Sequence, residues 1–203
     1  MKEVKNKAVR QTIIVLVVLL VVILDLVYYK SKDPKTVASD TVDLIMIAKE
    51  ELESVVVTDY SDKNVIQYTT FNAKEDGIAI ETTELKVKED AENKDINLKG
   101  FKAKHPDENV IKLFEFTITN LQALKTIQEN ATDIEQFGLD KPLCEVDMKL
   151  KNGEEKGFIV GNNTPTSQAA YYLKMKDSNA VYTLSRWDVQ NILLTDDSII
   201  DYT

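Results

Sequence analysis

Twelve aliphatic residues in a row, Ile13 to Leu24, set the first constraint on this chain. A helix that is apolar all round makes a poor surface helix, so the run has to leave water. Leu26 and Val27 carry it past Asp25, and Tyr28 and Tyr29 close it. Crossing a bilayer takes about 20 residues, with a lower limit of roughly 17. Residues 12–29 reach that limit and put Asp25 near the headgroups rather than mid-bilayer. The tyrosine pair suits the interfacial belt, and the basic residues ahead of the run favour a cytoplasmic N-terminus. A cleaved signal peptide shares the basic start and the apolar core, but it needs a small-x-small site just past that core. The stretch "DLVYYKSKDP" offers none, the small residues Ala38 and Ser39 lying too far downstream. The expected organisation is a cytoplasmic tail (1–11), a single-pass transmembrane anchor (12–29), a polar linker with Pro34 (30–41) and an extracytoplasmic domain (42–203).

Charge separates the same parts. The net charge is −9, yet residues 1–30 hold Lys2, Lys5, Lys7, Arg10 and Lys30 against Glu3 and Asp25, which leaves the rest at −12. An acidic body disfavours nucleic acid, whose phosphates need a Lys/Arg surface. With one Cys there is no intramolecular disulfide, and the domain has length enough to be held by its core.

The body reads as α+β. "SVVVTDY", "SDKN" and "VIQYTTF" make two β-rich runs around a turn, and "GIAIETTEL" (77–85) is a third strand. Residues 40–55 form a helix or a strand lead-in, and 86–104 a polar surface excursion. Apolar residues at Val110, Leu113, Phe114, Ile118, Leu121, Leu124 and Ile127 keep helical spacing, which predicts one long helix with Asp107 and Glu108 at its positive end. "TDIEQFGLDKP" predicts a short helical turn capped by Thr132 or Asp133, ended by a left-handed Gly138 and blocked by Pro142. Cys144, Val146, Met148 and Leu150 alternate with charged residues, as in a half-exposed strand. Asn152-Gly153 marks a hairpin, and a second hairpin follows over 169–185. Ser185 caps a closing helix whose Trp187, Val189, Ile192 and Leu193 are expected to cover one face of the sheet. The fold expected is therefore an N-terminal transmembrane helix followed by antiparallel β-hairpins packed against one long and one shorter helix.

Several of these stretches together resemble a bacterial family catalogued as domain of unknown function 4340. They are the anchor, the helix, "FGLDKP" (137–142), the "NGE" hairpin, "FIVGNNTP" (158–165) and "AAYYLKMKDSNAVYTLS" (169–185). The resemblance is best over Asn109 to Leu194. Family members are often longer than the 203 residues here, with a second related unit, and often carry a Trp in the early strands, where this sequence has none. The resemblance implies an extracytoplasmic companion of an ABC-type permease/ATPase complex, held by one anchor, and it carries no catalytic residue onto this chain.

Chemistry-bearing residues are sparse. His105, the only His, has no partner set for a metal. Cys144 lies on the apolar side of its strand beside Glu145, a setting for a small hydrophobe rather than a nucleophile. The acidic "DDSIID" (Asp196, Asp197, Asp201) lacks the spacing of a calcium loop. The most site-like stretch is Gly161, Asn162, Asn163, Thr164, Ser167 and Gln168, a loop dense in neutral hydrogen-bonding groups around a permissive glycine. Tyr171, Tyr172, Tyr182 and Trp187 are the candidate partner interface. The expected function is a non-catalytic, membrane-anchored accessory protein with neither metal nor cofactor. The alternative is a cell-envelope module that binds a polar small molecule or glycan through the 161–168 loop.

Overall fold

The computed structural model describes residues 41–92, 94, 98, 107–165 and 167–194, all within one compact unit. The 12–29 anchor, linker residues 30–40, His105 and Asp196 to Asp201 lie outside the described residues. Among the described residues no helix is long and apolar enough to cross a membrane.

The expected α+β class is found: among the described residues, a mainly antiparallel sheet with two helices. The strands are β1 (Val42–Asp43), β2 (Leu52–Asp59), β3 (Val65–Lys74), β4 (Gly77–Val87), β5 (Gln122–Ala123), β6 (Lys125–Gln128), β7 (Cys144–Leu150), β8 (Glu155–Thr164), β9 (Ser167–Met175) and β10 (Val181–Ser185). The helices are α1 (Glu108–Thr119) and α2 (Arg186–Leu193). Eight strands form one sheet in the order β4-β3-β2-β7-β8-β9-β10-β6, and β1 pairs with β5 in a separate two-stranded piece. Two meanders, β2–β4 and β7–β10, are thus joined where β2 meets β7, with Val57 opposite Val146 and Val55 opposite Met148.

Alternation decides the faces, because successive strand residues point to opposite sides. Val55, Phe71, Cys144, Val146, Phe158, Val160, Leu173 and Leu184 share the core face with Phe114 and Ile118 of α1 and Val189 and Ile192 of α2. Phe114 stacks on Phe71 with ring centroids 4.5 Å apart. Ile159 and Tyr172 belong to the opposite face, where they meet Phe137, Leu139 and Val181 in a second, smaller cluster.

The long helix is shorter than its periodicity predicts. It ends at Thr119, and Leu124 and Ile127 sit half-exposed at and beside the edge strand β6. The cause is local. Thr117 Oγ1 donates to the Leu113 carbonyl (2.9 Å), Thr119 Oγ1 to that of Glu115 (2.7 Å) and Asn120 Nδ2 to that of Phe116 (3.1 Å). Such back-bonding side chains compete with the helix ladder. The chain before β2 supplies the donors that the helix end lacks: Ile47 N–H bonds the Thr119 carbonyl and Leu44 N–H that of Leu121. Residues 41–55 are thereby a strand lead-in rather than a helix, with a 3-10 turn at Lys49–Glu51.

The corner after β6 ends at the expected glycine, but its N-cap is Ile134, with no side-chain cap bond, rather than Thr132 or Asp133. A 3-10 turn, Glu135–Phe137, ends at Gly138 with φ +67°. Asp133 Oδ1 accepts from Glu135 N–H at its start. Phe137 packs edge-to-face on Tyr172 at 4.9 Å.

Candidate functional site

The stretch 161–168 is not an open loop. Gly161 to Thr164 complete β8 and Ser167 begins β9, with Thr164 paired to Ser167. Two register shifts between Val160 and Thr164 bend this end of the hairpin. Gly161 is needed for closeness and not for an unusual backbone, since its φ is not positive. A Cβ on it would lie 2.3 Å from the Phe137 carbonyl oxygen. Asn162 in turn covers Gly138, where a Cβ would fall 2.3 Å from the Asn162 carboxamide carbon. The two glycines let the 134–139 corner seat directly on the hairpin. Asn162 and Asn163 are exposed, whereas Gly161 and Thr164 are buried.

The four aromatic candidates do not share a surface. Tyr171 and Tyr182 pack against the main core, and Tyr172 against the smaller cluster on the other side of the sheet. Trp187 belongs to neither buried cluster and is 61% exposed. Val189 and Ile192 give α2 its buried stripe. A residue two positions before Val189 cannot face the same way.

Trp187 instead joins a surface that sequence spacing concealed. Phe116 on α1 is 64% exposed, and it lines a groove of about 230 Å³ together with Leu113, Asn120, Trp187 and Asp188. Below this groove the helices are tied by Asn191 Nδ2, which donates to Thr117 Oγ1 at 3.1 Å in a buried contact. Ser185 caps α2, accepting from Asp188 N–H at 3.1 Å and donating to its carboxylate at 2.6 Å. The two large exposed rings are therefore presented by elements fixed from beneath. Helical spacing already leaves Phe116 off the buried face that holds Phe114 and Ile118; what it cannot supply is that α2 brings Trp187 beside it. On the other side of Phe116 lies a second groove of about 330 Å³, walled by Ile47, Lys49, Asp76, Lys112, Glu115 and Thr119.

Other titratable groups are occupied by structure. Cys144 is fully buried, and burial, with Asp59 and Glu145 adding to it, pushes its thiol far up and away from thiolate chemistry. On the solvent face of the sheet, Lys176 Nζ holds Glu145 Oε2 (2.9 Å) and Asp147 Oδ1 (2.8 Å). Its stem crosses β8 at Gly157, where a Cβ would meet Lys176 Cδ at 2.9 Å. Burial and the adjacent Glu145 push Tyr60 up to about 12. Among the described residues no group of three or more His, Cys, Asp or Glu is placed to hold a metal ion.

Fold and surface together define an antiparallel α+β domain that carries both helices on one face of its sheet. Residues 107–203, the part with α1, β5–β10 and α2, match the family model described as Domain of unknown function (DUF4340). No curated protein and no solved structure matches the chain.

Proposed function

We propose that this protein is a non-catalytic accessory protein, anchored in the cell membrane by residues 12–29, whose extracytoplasmic body docks a membrane-protein partner through the outer face of α1 and α2. The partner is the permease/ATPase complex of an ABC-type transport system. The observation that carries the docking reading is the pair of exposed aromatics, Phe116 and Trp187, flanking one groove on two rigidly tied helices. Aromatic side chains on a fixed support are what protein interfaces favour at their centres. The aliphatic run supports the anchor, and the resemblance over the second half of the chain supports the transporter partner.

The test places a photo-crosslinking residue at Leu113 of the full-length protein in native membranes and identifies the adducts by mass spectrometry. Permease or ATPase subunits are expected, and they should be lost when residues 1–30 are exchanged for a cleavable signal. Adducts of the protein with itself alone overturn the reading.

A further inference from the structure

Glu115 is the one feature of the helical face that the fold leaves unanswered. It lies on α1 between Phe114, which stacks in the core, and Phe116, which faces solvent. The residue is 6% exposed, and its Oε1 is wholly buried with no hydrogen-bond partner among the described residues. A charged or polar group in that state is costly unless it is paired. The carboxylate rests over Gly77, the first residue of β4. A Cβ there would sit 3.0 Å from Oε2 and 3.3 Å from Oε1, and φ at this glycine is +136°. The backbone itself calls for glycine at this β3–β4 turn, and the carboxylate lies against it.

The surrounding charges do not complete it. Lys112 is paired with Glu108 one turn earlier. Lys49 attracts Glu115 but makes no ion pair with it among the described residues, and Glu50 repels it. Asp76 adds a further negative charge to the same groove. Burial is the largest influence on the Glu115 carboxyl and raises it above its ordinary value.

We propose that this groove receives an arginine of the docking partner, whose guanidinium pairs with Glu115 while an adjacent apolar side chain of the same segment lies on Phe116. Guanidinium fits better than ammonium. It is weakly hydrated, it presents several donors in a plane to a carboxylate at the groove wall, and it stacks on aromatic faces. The groove is continuous with the aromatic surface because Phe116 belongs to both walls. The inference rests on the docking role of that surface but not on the partner's being a transporter.

The probe is the peptide acetyl-Trp-Arg-amide, with citrulline in place of arginine as its uncharged match. Each is titrated at millimolar concentration against the full-length chain in detergent micelles, with the Glu side chains carbon-13 labelled. Saturation with the arginine peptide should move the Glu115 carboxylate titration to lower pH. The citrulline peptide should bind about tenfold more weakly, the scale of one charge-assisted contact. Glu115→Gln should erase the difference between the peptides, and Phe116→Gln, an exposed change that spares the fold, should weaken both. Equal affinity for the two peptides, arginine preference retained in Glu115→Gln, or no binding of either peptide overturns the proposal. Equal affinity with both peptides still sensitive to Phe116→Gln removes the Glu115 pairing and leaves the docking surface standing.

Discussion

At the scale of single residues, two glycines and one acid show how backbone space is allotted. Gly161→Ala would drive a methyl group to 2.3 Å from a backbone oxygen of the 134–139 corner, and a carbonyl in a 3-10 turn cannot swing aside. A cost of about 2–3 kcal/mol is expected, the range of an overpacked site. Gly153→Ala is the matched control. Its φ is +86°, but a Cβ there meets nothing within 4 Å, so only the left-handed strain of about 1–2 kcal/mol applies. Urea denaturation of the two variants ranks them, and a Gly161→Ala no worse than Gly153→Ala would remove the close-approach role. Glu115 gives a pH signature. Its folded value lies above the ordinary 4.5, so the native state binds its proton more tightly than the unfolded chain does. Below that ordinary value both states are protonated and nothing is lost; as pH rises through it toward the folded value, the native state loses stability. Glu115→Gln should therefore melt higher than the parent at neutral pH, with the gap closing in acid. A gap that stays constant with pH would show that the carboxyl is not destabilised by its burial.

At the scale of elements, the reading from residue types worked wherever one local rule governs. Gly138 and Pro142 specify a corner on their own, and Ser185 specifies the start of α2. It failed at α1, where two rules compete. Apolar spacing continues through Leu121, Leu124 and Ile127, while Thr117, Thr119 and Asn120 take carbonyls from the ladder. The segment Leu44–Ile47, more than seventy residues earlier in the chain, then accepts the role of the missing turn. No window of sequence contains both halves of that arrangement. The cap of α2 is the cleaner test. Ser185→Ala removes both contacts with Asp188 and should cost about 1 kcal/mol, seen as a lower urea midpoint and faster hydrogen exchange across Arg186 to Gln190. Ser185→Asp should recover most of the loss, because its carboxylate can accept the same N–H. If the aspartate variant is as weak as the alanine one, the contacts at Ser185 serve packing and not capping.

At the scale of the whole domain, the hairpins were legible because their turns are short and their partners adjacent in sequence. The union of the two meanders at β2 and β7, which completes the sheet, was not, since it depends on strands some ninety residues apart. The same blindness hid the candidate site. Tyr171 and Tyr172 look like one aromatic patch in sequence, yet as neighbours in a strand they are sent to opposite faces and both are partly buried in packing. Phe116 falls off the helical face that buries Phe114 and Ile118 and is exposed, but nothing in the local sequence pairs it with Trp187 some seventy residues later. What the folded domain then exposes is a pair of large rings, Phe116 and Trp187, whose removal the core should not register. The double variant Phe116→Gln, Trp187→Gln is expected to unfold within about 1 kcal/mol of the parent, since exposed substitutions away from caps and networks usually stay near 0.5 kcal/mol each. The same variant should lose most of the adducts formed from a crosslinker at Leu113 in native membranes. Stability and docking are thereby separated in one protein. Unchanged adducts would show that the aromatic pair is not the contact, and a large fall in stability would show that Phe116 and Trp187 act in the fold rather than at its surface.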